Sequence, residues 1–185
     1  GAVLAFAPAA TQFGIWVLRN DANVAATDPL TGLLNRRGLY ILIDDMLRRR
    51  SEADRHVVVA VIDLDRFKRI NDAFGHAVGD QVLVRSAERL QGVVGDGALV
   101  ARVGGEEFVV VDVIESTEVR RVAEGLRTAF TGPGDQTRVT ASVGVTTMPV
   151  AKFGAAGDPA QLLDELIGQA DEAMFAAKRE GGDKV

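Results

Sequence analysis

The chain has 185 residues, 47% of them hydrophobic and 25% charged, which suits one globular domain with a substantial core. Its net charge of −5 leaves no global basic field to grip a nucleic-acid backbone, so no nucleic acid is expected as a partner, whereas a nucleotide whose charge is met locally by a metal ion stays compatible. The absence of cysteine excludes disulfides and thiolate metal sites and suits a reducing cytosol, and two histidines, His56 and His76, do not make a multi-histidine zinc site.

Residues 1–18 carry no charge before Arg19. An apolar stretch of about 20 residues spans a bilayer, so residues 1–26 read as the end of a transmembrane or sensor helix, or as a linker. Pro8, Thr11, Gln12 and Gly14 dilute the apolar character toward the second reading. No basic stretch precedes it, which disfavours a cleavable signal peptide. The domain proper is expected over 27–185 and opens at Thr27-Asp28-Pro29, a capped helix start or a turn. From 35 to 50, Leu39, Leu42, Ile43, Met46 and Leu47 recur at helical spacing. The valine-rich run 56–62 reads as a buried central strand ending in Asp63-Leu64-Asp65. A short helix over 66–73, a glycine-rich turn and a long helix over 80–91 follow.

Apolar runs at 98–101 and 108–111 then flank Gly104-Gly105, the pattern of a β-hairpin whose turn residues are free to take positive φ. A helix is expected over 117–130, with Val119, Val122, Ala123 and Leu126 on one face. A strand over 137–147 carries Gly144 at a bulge or close contact. A loop over 154–158 leads to a last helix over 162–179. Helices interleaved with strands around a hairpin argue for an α+β, α/β-sandwich-like fold, with one central mixed or antiparallel sheet flanked by helices.

The chemistry concentrates at the hairpin and the strand before it. Glycines let a backbone approach a bulky anion, and Glu106 and Glu107 directly after them can hold a hard cation. Asp63 leaves the end of the buried strand and would converge on Glu106 if that strand neighbours the hairpin. Such carboxylates repel, and a divalent cation relieves the repulsion. The competing reading has Asp63 and Asp65 simply capping the next helix. Asp65-Arg66-Phe67-Lys68 opens that helix, whose free amides and Lys68 suit an anion. Asn71 and Asp80 flank the Gly75–Gly79 turn and together suit guanine, since the carboxylate accepts from N1–H and the N2 amino group. Against this stands a turn Asn and an N-cap Asp opening the helix over 80–91. His76 reads as a structural hydrogen-bonder.

Asp28-Pro29-Leu30-Thr31-Gly32-Leu33-Leu34-Asn35-Arg36-Arg37, Asp63-Leu64-Asp65-Arg66-Phe67-Lys68-Arg69-Ile70-Asn71-Asp72, Gly75-His76-Ala77-Val78-Gly79-Asp80 and Gly104-Gly105-Glu106-Glu107-Phe108 resemble the successive motifs of the GGDEF-domain diguanylate cyclases. Ser142-Val143-Gly144-Val145 and Ala170-Asp171-Glu172-Ala173-Met174-Phe175-Ala176-Ala177-Lys178 continue the resemblance in the same order. One such motif is weak evidence; an ordered series at compatible spacing is specific.

The resemblance implies a palm-like sheet shared with nucleotidyl cyclases and polymerases. It implies Mg²⁺ (or Mn²⁺) held by Asp63, Glu106 and the Leu64 carbonyl, with Glu107 a second acidic residue at the metal and reacting centre. Backbone groups of Arg66 and Phe67, with Lys68 and Lys178, would hold a triphosphate, and Gly104 and Gly105 would let the turn lie against the nucleotide. Asn71 and Asp80 would read guanine, and Asp28 and Arg37 would form a structural ion pair. The implied activity is nucleotidyl transfer between two GTP molecules on a homodimer, giving cyclic di-GMP. The expected location is cytoplasmic, or the cytoplasmic face of the inner membrane within a parent that carries an upstream sensor or membrane domain. A non-catalytic GTP-binding or dimerisation module is the alternative.

Two departures stand out. The family's inhibitory product site, Arg-x-x-Asp, would place its ends at Gly95 and Ala98, which supply neither a fork nor a carboxylate. An arginine that assists phosphate binding after the last helix is replaced by Gly182, with Lys184 nearby as a compensating charge.

Overall fold

A computed structural model describes residues 26–50, 55–130, 139–155 and 158–185. The expectations for residues 1–25 lie outside these. After the short strand β1 (Leu34–Asn35) comes helix α1 (Arg36–Arg49). Asn35 caps it, its side-chain oxygen accepting from Gly38 N at 2.9 Å. Strand β2 (Arg55–Leu64) leads to α2 (Phe67–Phe74), α3 (His76–Val93) and the hairpin β3 (Leu99–Arg102) and β4 (Glu107–Glu115). A 3₁₀ turn (Ser116–Glu118), α4 (Val119–Thr128), β5 (Ala141–Pro149), α5 (Val150–Ala155) and α6 (Pro159–Arg179) complete the order.

The five-stranded sheet runs β1-β3-β4-β2-β5, with β1 parallel to β3 and every other pair antiparallel. The expected mixed sheet flanked by helices is therefore what forms. Alternation along β2 explains its unbroken valine run, because successive side chains point to opposite faces and both faces are covered. Val58, Ala60 and Ile62 pack with Phe67, Leu83 and Leu126 under α2, α3 and α4. Val57, Val59 and Val61 pack with Ile43, Leu163 and Met174 under α1 and α6.

Several boundaries differ from the sequence reading. Helix α3 starts at His76, not at 80. Gly75, at φ +83, ends α2 and opens α3 at once, and Val78 N and Gly79 N already donate to its carbonyl. Asp80 is therefore inside a helix and Asn71 is inside α2, which removes the N-cap and turn readings of both. Part of the expected loop over 154–158 is helix α5, because Val150 and Phe153 both bury against the α1–α6 face. That apolar period is too short to show in sequence. Gly144 marks a close contact and no bulge: β5 stays in register with β2 from Leu64↔Ala141 to His56↔Pro149. A Cβ at Gly144 would overlap the Ala170 carbonyl and the Met174 amide of α6.

That contact seats α6 on the sheet. Gly144→Ala should destabilise the domain by about 2 kcal/mol or more, because backbone, and not a flexible side chain, would have to give way. Urea unfolding measures this; a loss below about 0.5 kcal/mol would show that α6 does not lie so close.

Candidate active site

The register of β2 with its neighbours builds the site. Asp63 lies opposite Glu107 on β4 and opposite Ser142 on β5. One residue on, Leu64 N donates to the Glu106 carbonyl at 3.3 Å. The end of the central strand and the hairpin turn are thus stitched together, which brings Asp63, Glu106 and Glu107 to one place. Asp63 is only 6% exposed. Lys178, near the end of α6, sets its Nζ 2.6 Å from Asp63 Oδ1. This ion pair is the charged partner that the buried Asp63 carboxylate has.

Burial pushes the Asp63 carboxyl above the usual aspartate range; Lys178 pulls it back, and the Asp65 and Asp171 charges push it further. Glu106 is also raised, by burial first and then by the Asp63 charge, with Lys178 opposing and Glu107 adding to it. Crowded carboxylates, one of them buried, fit a hard divalent cation. Among the described residues no three or more carboxylate and imidazole side chains are grouped so as to hold a metal ion by themselves, so Asp63 and Glu106 would supply only part of a Mg²⁺ shell, the rest being water or phosphate oxygens.

The hairpin turn is closed by Val103 N donating to the Glu107 carbonyl at 3.0 Å. Neither Gly104 nor Gly105 is among the positive-φ residues, contrary to the expectation for this turn. Gly104 serves close approach instead: a Cβ there would overlap the Glu107 carboxylate, while one on Gly105 would meet open space.

Arg102, which sequence reasoning passed over, holds the turn from beneath. Its guanidinium donates to the Gly105 carbonyl at 2.8 and 3.1 Å and to both Asp28 oxygens at 3.1 and 3.2 Å. The expected pair of Asp28 with Arg37 is thereby corrected: Asp28 takes Arg102, because the parallel pairing Asn35↔Arg102 brings the two segments together. Burial alone would raise the Asp28 carboxyl, but the Thr31 hydroxyl and amide and then Arg102 hold it below its ordinary value. An arginine closing an apolar strand two residues before a glycine pair was the available signal.

The α2 end of the site also departs from simple capping. Arg66 precedes the helix at φ +56 and makes no side-chain cap. Asp65 does not cap either; its carboxylate accepts from Thr140 and Ser142 hydroxyls at 2.7 Å each. Lys68 and Asp80 are exposed and Phe67 is buried. The Asn71 side chain lies directly over Gly79, where a Cβ would overlap its Oδ1, so Asn71 sits against the turn of α3 that carries Asp80. Gly95 and Ala98 line a cavity of about 360 Å³ with Gln91, Asp96 and Leu99, and no cationic side chain lines it.

A mixed sheet with an acidic centre at the end of its central strand and the adjacent hairpin defines a nucleotidyl-cyclase palm. The chain belongs to the GGDEF family, whose model, described as "Diguanylate cyclase, GGDEF domain", matches residues 25–184. It is 37% identical over 174 residues to the diguanylate cyclase DgcP of Pseudomonas aeruginosa, covering 91% of this chain and 25% of that protein. It is 36% identical over 176 residues to the response regulator PleD of Caulobacter vibrioides, covering 91% of this chain and 37% of that one. The chain thus spans between 25% and 37% of the length of these relatives. Among solved structures, the coiled coil and GGDEF domain of DgcB from Caulobacter crescentus, in complex with c-di-GMP, superposes with a TM-score of 0.77 at 26% identity, covering 96% of this chain and 93% of that one. The GGDEF domain of PA1120 from Pseudomonas aeruginosa gives 0.71 at 33% identity, over 85% and 91%.

Because Glu106 is held above its ordinary value, the folded domain binds a proton there more readily than the unfolded chain. Stability therefore falls as pH rises through that window. Glu106→Gln should raise the metal-free melting temperature near neutral pH, and the gain should disappear as pH falls below the ordinary value of 4.5. Melting curves in chelator across this range test it; a variant less stable than wild type near neutrality would mean that attraction to Lys178 outweighs the carboxylate repulsion.

Proposed function

We propose that this chain is a diguanylate cyclase, condensing two GTP molecules into cyclic di-GMP with release of two pyrophosphates at the interface of a domain dimer. The observation that carries the reading is the buried Asp63 faced by Lys178, beside a Glu106 that the Asp63 and Glu107 charges both crowd, in a chain of this family.

Asp63, Glu106 and the Leu64 carbonyl would hold Mg²⁺, with Glu107 beside them. When bound, such a cation neutralises charge on the transferred phosphoryl group and lowers the pKa of the attacking hydroxyl. Lys178, Lys68 and the amides at Arg66 and Phe67 bind the triphosphate and orient it. Asp80 accepts from guanine N1–H and N2, and Asn71 completes the base contact; adenine, lacking N1–H, leaves the carboxylate unmatched. Glu106 or Glu107 takes the proton from the 3′-hydroxyl as it attacks the α-phosphorus of the nucleotide on the other domain. Pyrophosphate leaves, and a second such exchange closes the ring.

Each domain supplies half of the reacting pair, so turnover needs two domains face to face. Residues 1–26, as a linker or the end of a membrane or sensor helix, are the natural lever on that dimer, with 27–185 as the catalytic domain. At the position of the family's product site, Gly95 and Ala98 provide no group for a phosphate or a guanine edge, so feedback inhibition through this site is expected to be weak or absent.

Incubation with GTP and Mg²⁺ should yield cyclic di-GMP and pyrophosphate at a rate per chain that rises with protein concentration or in a forced dimer. Asp63→Ala and Glu106→Ala should each lower turnover by at least about 100-fold. Tight GTP binding without product, even in the forced dimer, would instead make the chain a regulatory GTP-binding module. Added product should leave the rate unchanged at concentrations where members with an intact Arg-x-x-Asp are inhibited; equal inhibition would refute the loss of feedback.

A further inference from the structure

The segment from Asp63 to Phe67 carries groups for both metal and phosphate, yet its backbone is held in an unfavourable state. Arg66 stands at φ +56, in the left-handed region, which a residue with a Cβ keeps only where its surroundings over-determine it. Asp65 provides that constraint. Its Oδ1 accepts from Ser142 Oγ at 2.7 Å, and its Oδ2 accepts from Thr140 Oγ1 at 2.7 Å and from Asp183 N at 2.9 Å. Its own amide donates to the Thr140 carbonyl at 2.8 Å. On the other side of the strained residue, Arg69 N closes the turn onto the Arg66 carbonyl at 2.9 Å.

The third donor to the carboxylate arrives by an unusual route. Beyond α6 the chain doubles back through Gly181 at φ +116, Gly182 at +77 and Asp183 at +51. A Cβ on Gly182 would lie 2.8 to 2.9 Å from the Asp65 carboxylate atoms, and that carboxylate, tied on both oxygens, has little freedom to swing aside. The returning tail is anchored again where Val143 N donates to the Lys184 carbonyl at 2.9 Å, and where the Asp183 carboxylate pairs with Arg127 of α4.

We infer that Asp65 is a positioning residue: clamped between β5 and the Gly181-Gly182-Asp183 turn, it fixes the left-handed turn at Arg66, and with it the Leu64 carbonyl and the Arg66–Phe67 amides that face the nucleotide. The inference rests on the GTP reading of this site. It also gives Gly182 a role of its own, because the space into which a side chain would start is occupied by Asp65. The cations for the phosphates are then Lys68 and Lys178, and residue 182 serves the turn.

The test is GTP affinity in the presence of Mg²⁺, measured by equilibrium binding at a temperature where every variant is folded, together with amide exchange of Arg69 and Asp183. Asp65→Ala should weaken GTP by at least about tenfold and expose both amides, while Asp65→Asn should recover most of the loss. Met46→Ala, a truncation in α1 in the core cluster on the other face of the sheet from α4, should stay within about twofold of wild type despite its lower stability. A folded Asp65→Ala protein that binds GTP within about twofold of wild type, or a Met46→Ala protein weakened as much as it, would overturn the inference. Should Asp65→Ala fail to fold, Ser142→Ala, which removes one donor, decides: unchanged affinity and unchanged Arg69 exchange reject the clamp. If the wild-type chain binds no GTP, the nucleotide reading fails separately. Exchange then judges the clamp alone, upheld by joint loss of protection at Arg69 and Asp183 and rejected by retained protection at Arg69.

Discussion

The antiparallel register of β2 between β4 and β5 is the constraint on which the rest depends. It seats Asp63 opposite Glu107 on one side and Ser142 on the other, and a slip of one residue would turn Asp63 to the opposite face of the sheet. The register is itself enforced by burial on both faces, since Val57, Val59 and Val61 belong to one cluster and Val58, Ala60 and Ile62 to the other. Carboxylates that water would otherwise separate are therefore held together by apolar packing. The stability of the sheet offsets the repulsion, which Lys178 relieves in part.

Each element around this centre contributes through a contact that its neighbours make possible. Helix α6 approaches β5 closely because Gly144 has no side chain, and the approach delivers Lys178 to Asp63. The hairpin turn is supported by Arg102, itself paired with Asp28 near the start of the described domain. The α2 entrance is held by Asp65 and the returning tail. The three supports come from distant parts of the chain, so the site is a product of the whole fold and not of the hairpin alone.

A good deal of this was legible in the sequence. The valine run with an aspartate at its end, the glycine pair followed by two glutamates, and the helical period of Leu39, Ile43 and Met46 each report a local rule of burial or turn formation, and each appears in the fold as an element. Less legible were features in which two segments compete for one group. Asp80 has the residue type of an N-cap, but Gly75 starts α3 earlier and leaves Asp80 inside the helix. Asp65 has the residue type of a cap too, but the Thr140 and Ser142 hydroxyls outcompete the helix amides for its oxygens. The partner of Asp28 depended on a parallel strand pairing some seventy positions away, which local pattern does not encode.

By itself, then, the amino-acid sequence determined the order of the principal helices and strands, the layered sheet and the acidic cluster as a motif, because apolar periodicity and turn chemistry act over a few residues. Tertiary structure alone decided which charges meet. It turned Gly104 from a presumed left-handed turn residue into a site of close approach, gave Arg102 to Asp28, and made Gly182 part of a clamp on Asp65. Those outcomes rest on long-range register and packing, where a distance of a few ångströms between remote segments sets the electrostatics and no short window of residues carries the information.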